Sequence, residues 1–449
     1  MPVSTPICDF VDKYINSGAV RAHMPGHKGV THFLGEPWDI TEIDGADSLY
    51  EACGIIAESE NNASKLFGFG RTVYSTEGST QCIKAMLFLA MGTKTYRDGR
   101  RPTIIAGRNV HKAFIYACAL LDIDVFWLMP EGGAGSVCSC PITSAGLEKA
   151  FAECSDDPFA VYITAPDYLG GSPDIGELAA VCHQRGVPLL VDNAHGAYLK
   201  FLDKSLHPID LGADISCDSA HKTLPVLTGG AYLHISDKFI THIERDPKTA
   251  LSMFGSTSPS YLILQSLDKC NRYLSEGYFL ELSRGVKQVS ELKRSIAAMG
   301  YLVGVSDPLK LTVYDGSGGH ALAKRLRREG IECEFADRSA AVLMFTPDNT
   351  KSDFERIRKA FSLESAVPLG IDKPFDFTPP EKAMSIRQAV FSDSKRIKAS
   401  RAEGLVCAAP VASCPPAVPV AVSGEVITRL AVEILGEYEI KYIDVVAEK

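Results

Sequence analysis

Two hydrophobic rhythms alternate along this chain. Short runs at Pro102 to Ala106, Asp124 to Met129, Phe159 to Thr164 and Val187 to Asp192 are apolar almost without interruption. Between them, apolar residues return every three or four positions: up to about Met91, from Lys112 to about Leu121, from Leu147 to Cys154, and from Ile175 to Arg185. Continuous short runs predict strands buried on both faces, and the longer rhythm predicts helices with one buried face. Gly212 to Ser216 reads as one more strand. Strands separated by single helices need crossover connections, so the pattern predicts an α/β fold: a mostly parallel sheet with helices on both faces.

An amphipathic stretch from about Ile55 to Phe67 precedes this alternation. A Ser/Thr cluster at Ser256 to Ser260 opens a helix containing Leu262, Leu264 and Leu267, and amphipathic helices continue to about Met299. Beyond them come a strand (Leu309 to Tyr314), a helix (His320 to Arg328), a strand (Ala341 to Phe345) and a helix (Ser352 to Ser362). That order predicts a smaller α+β layer. The expected division is an N-terminal segment 1–70, a large domain 71–300 and a small carboxy-terminal domain 301–449.

Composition narrows the function. Apolar residues make up 46% of the 449, enough for a sizeable core. A net charge of −9 argues against nucleic acid and against a basic membrane-binding surface, and in favour of a soluble enzyme of small molecules. Pro2 to Phe10 shows no signal-peptide pattern. Leu405 to Gly424 is uncharged, but it contains Pro410, Pro415, Pro416 and Pro419, so it is expected to be extended, buried chain rather than a membrane span. The 13 cysteines include no CxxC pair. A zinc or other metal site is therefore not expected, and the thiols are expected to be small buried residues in a reducing cytoplasm.

The candidate chemistry centres on Lys222, in Asp218-Ser219-Ala220-His221-Lys222-Thr223-Leu224-Pro225, just before Gly229-Gly230. Upstream, an apolar run ends in Asp192-Asn193-Ala194-His195-Gly196. A Schiff-base lysine needs an amine partly withdrawn from water, and a strand-end carboxylate can hold a pyridine nitrogen protonated; pyridoxal phosphate requires both. Gly78-Ser79-Thr80 opens a helix. Gly78 permits an unusual backbone angle, Ser79 or Thr80 can cap the helix, and a helix start suits a phosphate. His111 falls at a strand-to-helix junction, where such sheets place ligand contacts; capping of local backbone is the alternative.

The string Ser219 to Pro225, followed by Leu227-Thr228, resembles the lysine segment of the ornithine/lysine/arginine decarboxylases, which are fold-type I (aspartate aminotransferase-like) pyridoxal phosphate enzymes. The similarity extends over Arg21 to Gly29, the acidic stretch Ile40 to Leu49, Phe254 to Tyr261 with Ser266-Leu267-Asp268, and a tail signature, Cys414 to Val420 with Ser423 to Thr428. It implies pyridoxal 5'-phosphate on Lys222, with Asp192 at the ring nitrogen and His111 against the ring. Gly78, Ser79, Thr80 and Ser219 would bind the phosphate, and His221 would lie near it or near the substrate carboxylate. His195 would lie near Asp192. Thr257 would reach a partner's cofactor in a homodimer.

The implied reaction is decarboxylation of arginine, lysine or ornithine to agmatine, cadaverine or putrescine, in polyamine metabolism. Glu425, Asp44, Asp47 and Glu42 are the acidic candidates for the substrate's far end. The chain departs from the family pattern at Asn193 (glutamate is common), Asp218 (glutamine), Ala220 (threonine) and Ala417 (glycine). Two other readings stand beside this one. An aminotransferase or lyase of the same fold is opposed by the N-terminal and tail motifs. A catalytically silent subunit is opposed by the joint retention of Lys222, Asp192 and His111.

Overall fold

The computed structural model describes residues 3–32, 34–92, 101–131, 135–304, 307–369, 378–412 and 417–447. Its major sheet is mostly parallel and has seven strands: β1 (Arg71–Ser75), β2 (Thr103–Gly107), β3 (Asp124–Leu128), β4 (Pro158–Thr164), β5 (Leu189–Asp192), β6 (Ile215–Asp218) and β7 (Ala231–Ile235). The chain divides into two compact units, Met1–Thr93 with Leu190–Glu281, and Lys94–Leu189 with Leu282–Lys449. Each is described on its own.

In the first unit the strand order is β1-β7-β6-β5. β5 and β6 run parallel, with Asp192 opposite Cys217. β7 is antiparallel to both β6 and β1. All four residues of β5 and of β6 are buried, which is why they read as continuous apolar runs. The parallel pairing places the segments after Asp192 and after Asp218 at the same end of the sheet. The Gly78–Met91 helix buries residues on nearly every side, from Gln81, Cys82 and Ile83 to Met91. Two strands depart from the sequence expectation. β1 occupies Arg71–Ser75, immediately before the helix opening, and β7 follows the Gly229-Gly230 turn; polar residues (Arg71, Thr72 and Ser75 in β1, His234 in β7) interrupt the apolar run in each. β6 also lies further along than Gly212 to Ser216.

In the second unit β2 pairs in parallel with β3 and β4. The helices Lys112–Leu121, Ser144–Glu153 and Ile175–Gln184 fall where the rhythm places them. The expected α+β layer is a four-stranded sheet, β8 (Leu302–Val303), β9 (Lys310–Tyr314), β10 (Phe335–Ala336) and β11 (Ala340–Met344), in the order β10-β11-β9-β8. The helices Gly319–Arg328 and Lys351–Ser362 belong to this same stretch of chain. β12 (Ser394–Lys398) and β13 (Tyr442–Val446) form a separate antiparallel pair. The described part of the uncharged tail is extended and buried, as expected: Cys407, Val411 and Ala421 pack with Ile427, Leu435, Ile443 and Val445. Cys414, Pro415 and Pro416 of the tail signature lie outside the described residues. No helix among the described residues is long and apolar enough to cross a membrane.

Ala417 has φ 58°, the left-handed region that favours glycine, and its carbonyl accepts a 2.8 Å hydrogen bond from Lys112 N. This is the position where the chain carries alanine in place of the usual glycine. A Cβ-bearing residue there costs roughly 1–2 kcal/mol, and glycine's greater unfolded-state freedom offsets roughly 0.5–1 kcal/mol of that. Ala417→Gly is therefore expected to stabilise the protein by about 0.5–1 kcal/mol. A urea midpoint that rises supports this; one that falls contradicts the strain.

Candidate active site

Within the first unit, most of the residues picked out from the sequence meet at the carboxyl ends of β5 and β6. Lys222 lies on the one-turn helix Ala220–Thr223, directly after β6. Its Nζ lies 2.9 Å from His195 Nε2, on the segment that leaves β5. Asp192 closes β5, is only 2% exposed, and accepts a hydrogen bond from Ala194 N at 3.2 Å. Burial at that depth makes any charge it meets count for more than it would in water. His195 thus stands against the Lys222 amine.

His221 is fixed by two bonds to one carbonyl. Its backbone N and its Nδ1 both donate to Gly230 O, at 3.2 and 2.9 Å. Because a carbonyl only accepts, Nδ1 carries the proton and the lone pair of the neutral ring is on Nε2. Burial pushes the imidazole below its ordinary pKa; Lys222 adds to the shift and the Gly230 bond opposes it.

The start of the Gly78–Met91 helix differs from expectation in one respect. Glu77 is its N-cap and makes no side-chain capping bond, so neither Ser79 nor Thr80 caps the helix. Gly78 has φ 71°, as its glycine suggests, and its N donates to Gly229 O at 2.7 Å. Ser79 and Thr80 are therefore first-turn residues whose hydroxyls are not used for capping. Ser219 Oγ donates to Ser79 Oγ at 2.9 Å, which joins the helix start to the lysine segment. Hydroxyls gathered at a helix start without a side-chain cap fit a phosphate.

Thr257 is exposed between Ser256 and Ser258. The helix that follows is capped by Ser260, which accepts from Ile263 N, and not by the 256–258 hydroxyls. Ser256 N donates to Glu77 Oε1, which turns that carboxylate towards the 256 segment. His111, in the second unit, caps the Lys112–Leu121 helix, its Nδ1 accepting from Ala113 N at 3.1 Å.

Two of the four acidic candidates for the substrate's far end are committed elsewhere. Glu425 is buried and bonded to Arg108 Nη2 at 2.9 Å and to Val422 N at 3.0 Å. Asp47 accepts from the backbone N–H groups of Cys53, Gly54, Ile56 and Ala57 at the start of the Ile55–Phe67 helix. Burial alone would raise its carboxyl, but these bonds hold it below the usual carboxylate range. Glu42 and Asp44 are exposed.

Sequence reasoning missed a cluster just beneath this site. Asp218 and Asn193 are fully buried, and Asn193 Nδ2 donates to Asp218 Oδ1 at 2.8 Å. His207 Nε2 and His234 Nε2 approach Asp218 Oδ2 at 3.1 and 3.4 Å. Burial would raise the Asp218 carboxyl, yet the two imidazoles outweigh it and hold the group well below the ordinary range. No spacing in the sequence announces this cluster. His234 reaches Asp218 only because β7 runs back along β6, with Asp218 opposite Tyr232 and Ser216 opposite His234.

A mostly parallel sheet with a lysine, a buried carboxylate and a hydroxyl-lined helix start at its strand ends fits the class of fold-type I pyridoxal phosphate enzymes. A family model described as Orn/Lys/Arg decarboxylase, major domain, matches residues 5–312. The chain belongs to that family, the pyridoxal phosphate-dependent decarboxylases of basic amino acids. Among its relatives, the arginine decarboxylase of Bacillus subtilis (strain 168) is 29% identical over 459 residues, covering 95% of this chain and 91% of the relative. The arginine decarboxylase of Halalkalibacterium halodurans is 27% identical, with 95% and 91% covered. The constitutive lysine decarboxylase of E. coli shares the fold at a TM-score of 0.78 and 17% identity, over 99% of this chain and 82% of that one.

Proposed function

We propose that this chain decarboxylates arginine, releasing agmatine and CO2, with pyridoxal 5'-phosphate held on Lys222. The observation that carries the cofactor assignment is the approach of Lys222 to His195 beside the Ser79–Ser219 pair, in the unit that also buries Asp192. The choice of arginine rests on the full-length relatives that bear that name.

In this reading Lys222 attaches the cofactor, Asp192 meets its ring nitrogen, and Gly78, Ser79, Thr80 and Ser219 hold its phosphate. Bound pyridoxal phosphate supplies an electron sink for the pair left on Cα when CO2 departs. The chain's own part is to position and to move protons. Lys222 Nζ and His195 Nε2, at 2.9 Å, are close enough to exchange one. His221 presents a neutral Nε2 lone pair, suited to accepting a hydrogen bond from the substrate or to taking up a proton. Asp192, being buried, favours a protonated ring nitrogen through a charge-assisted bond. For His111, family resemblance is the whole support for a place against the ring. Glu42 and Asp44 are the acidic groups left to meet the guanidinium. The division at about residues 70 and 300 belongs to the same reading, as does a cytoplasmic setting, supported by the unbridged state of the twelve described cysteines.

The test is turnover with arginine, lysine and ornithine, each amine being identified by mass spectrometry. Arginine is expected to give the highest kcat/KM by at least about tenfold, a difference of roughly 1.4 kcal/mol in transition-state binding. A higher value for lysine or ornithine overturns the choice of arginine.

The proposal includes a homodimer in which Thr257 serves the partner's site. Support comes from the Ser256–Ser258 hydroxyls, which are exposed and do not cap the following helix. A chain carrying Lys222→Ala, mixed and refolded with one in which Ser256, Thr257 and Ser258 are all alanine, is expected to regain activity. One of the two sites in each mixed dimer is then intact. Mixed dimers that form but stay as inactive as either parent contradict a site shared between subunits.

A further inference from the structure

The buried cluster beneath the site joins the two segments that the reaction depends on. Asn193 directly follows Asp192, and Asp218 directly precedes the Ser219–Lys222 segment. The segments are already neighbours through the parallel β5–β6 pairing and through Asn193 N donating to Cys217 O at 3.0 Å. At the level of the cofactor they meet again where His195 touches Lys222. The 2.8 Å bond from Asn193 to Asp218 ties those two levels through side chains, beside a 3.6 Å bond from Cys217 Sγ to Asp192 Oδ1. Its members are fully buried, so neither can turn to water if the tie is broken.

The two imidazoles brace the carboxylate. His207 Nδ1 accepts from Ile209 N at 3.2 Å, so its proton sits on Nε2 and points at Asp218. His234 is held from its other side by Thr72 Oγ1 at 2.9 Å. Phe67 and Phe69 pack against the rings, with centroids 4.6 Å from His234 and 4.8 Å from His207. Two histidines and an aspartate whose ligand atoms lie within 4.8 Å have the residue types of a metal site. A metal, however, would need the lone pair at His207 Nε2, where the backbone bond at Nδ1 places the proton. The geometry is that of a brace, made by a hydrogen bond from His207 and the close approach of His234.

We propose that the Asn193–Asp218 bridge, braced by His207 and His234, is a positioning device that sets Lys222 and Asp192 relative to each other for the cofactor. The proposal rests on the cofactor reading above. Asp218 Oδ1 faces the amide and Oδ2 faces both imidazoles. Asp218→Asn alone therefore orphans at least one buried donor, and Asn193→Asp alone sets two carboxylates against each other. The exchanged pair, Asn193→Asp with Asp218→Asn, restores the tie with donor and acceptor reversed: the new amide donates to residue 193 and its oxygen still accepts from His207.

The test compares these three proteins with the wild type. It measures pyridoxal phosphate affinity, the pH titration of the bound chromophore, the yield of cofactor trapped on Lys222 by borohydride, and kcat against KM. Each single change is expected to lower kcat and cofactor affinity at least about tenfold with little change in KM, and to shift the chromophore titration. The exchanged pair is expected to recover to within about threefold. A purely structural cluster would lower the melting temperature without moving the titration. If a single variant fails to fold, Asn193→Ala, which removes the donor without adding charge, must show the same shift. Unchanged titration and affinity in folded single variants, or an exchanged pair that folds but is not rescued, overturns the proposal. Absence of trapped cofactor in the wild type would instead overturn the cofactor reading itself, and this proposal with it.

Discussion

Lys222→Ala is expected to abolish turnover and to remove the colour that borohydride bleaches. In the proposed reading the amine at this position has two tasks, attachment of the cofactor and proton exchange with His195 at 2.9 Å, and among the described residues the candidate substitutes are held elsewhere. Lys200 Nζ is held by both oxygens of Asp210 at 2.9 Å, and Lys248 is buried against Glu60. Lys204 lies too early in the chain to substitute by a small shift. Loss of acid–base catalysis alone removes about 10²–10⁴ in rate, and loss of attachment adds to that. The purified variant should show no amine product, and its borohydride-treated peptides should carry no added mass. Persistent turnover would move the Schiff-base assignment to another residue.

Asp192→Asn should keep the cofactor bound yet cut the chemical step. The substitution preserves shape, and its amide oxygen can still accept from Ala194 N, so the segment after β5 keeps its local bond. The lost element is the negative charge, held at 2% exposure where little solvent screens it. A hydrogen bond to a charged group contributes about 1.5–3 kcal/mol, so the expected fall in kcat is at least about ten- to a hundredfold. Cofactor affinity, set largely by the phosphate and the lysine, should change much less. Unchanged turnover would mean that another group holds the ring nitrogen.

Asp192 was legible because it ends an apolar run that reads as a buried strand, and Lys222 because the string Ser219 to Pro225 resembles the lysine segment of the family. The helices from Gly78 to Gln184 were legible because their rhythm is long enough to fix type and position. β1 and β7 were not. Polar residues interrupt both, and their strand character depends on pairing with each other and with β6, which is tertiary information. Capping by Ser79 or Thr80, which their residue types left open beside a phosphate role, is not what the structure shows: the helix begins at Gly78 with Glu77 at its N-cap.

The departures from family pattern gained meaning only in three dimensions. Asn193 and Asp218 stand apart in the sequence and read as two separate oddities. In the structure they are hydrogen-bonded partners, an amide facing a carboxylate. His207 and His234 gave no signal at all, since the first precedes a proline in a loop and the second is one member of a strand that had not been recognised. Ala417 is the opposite case. The missing glycine was visible in the sequence, and the positive φ explains why glycine suits that position.

The central expectation for this chain is that it breaks the Cα–carboxylate bond of a basic amino acid and returns the amine. The most direct measurement uses arginine labelled at the carboxyl carbon, incubated with the purified enzyme and pyridoxal phosphate. The expected result is label released as CO2 in equal amount to the agmatine formed, with none in a keto acid. Label retained in a keto acid, or arginine, lysine and ornithine all left unconsumed by enzyme that carries its cofactor on Lys222, would contradict the account.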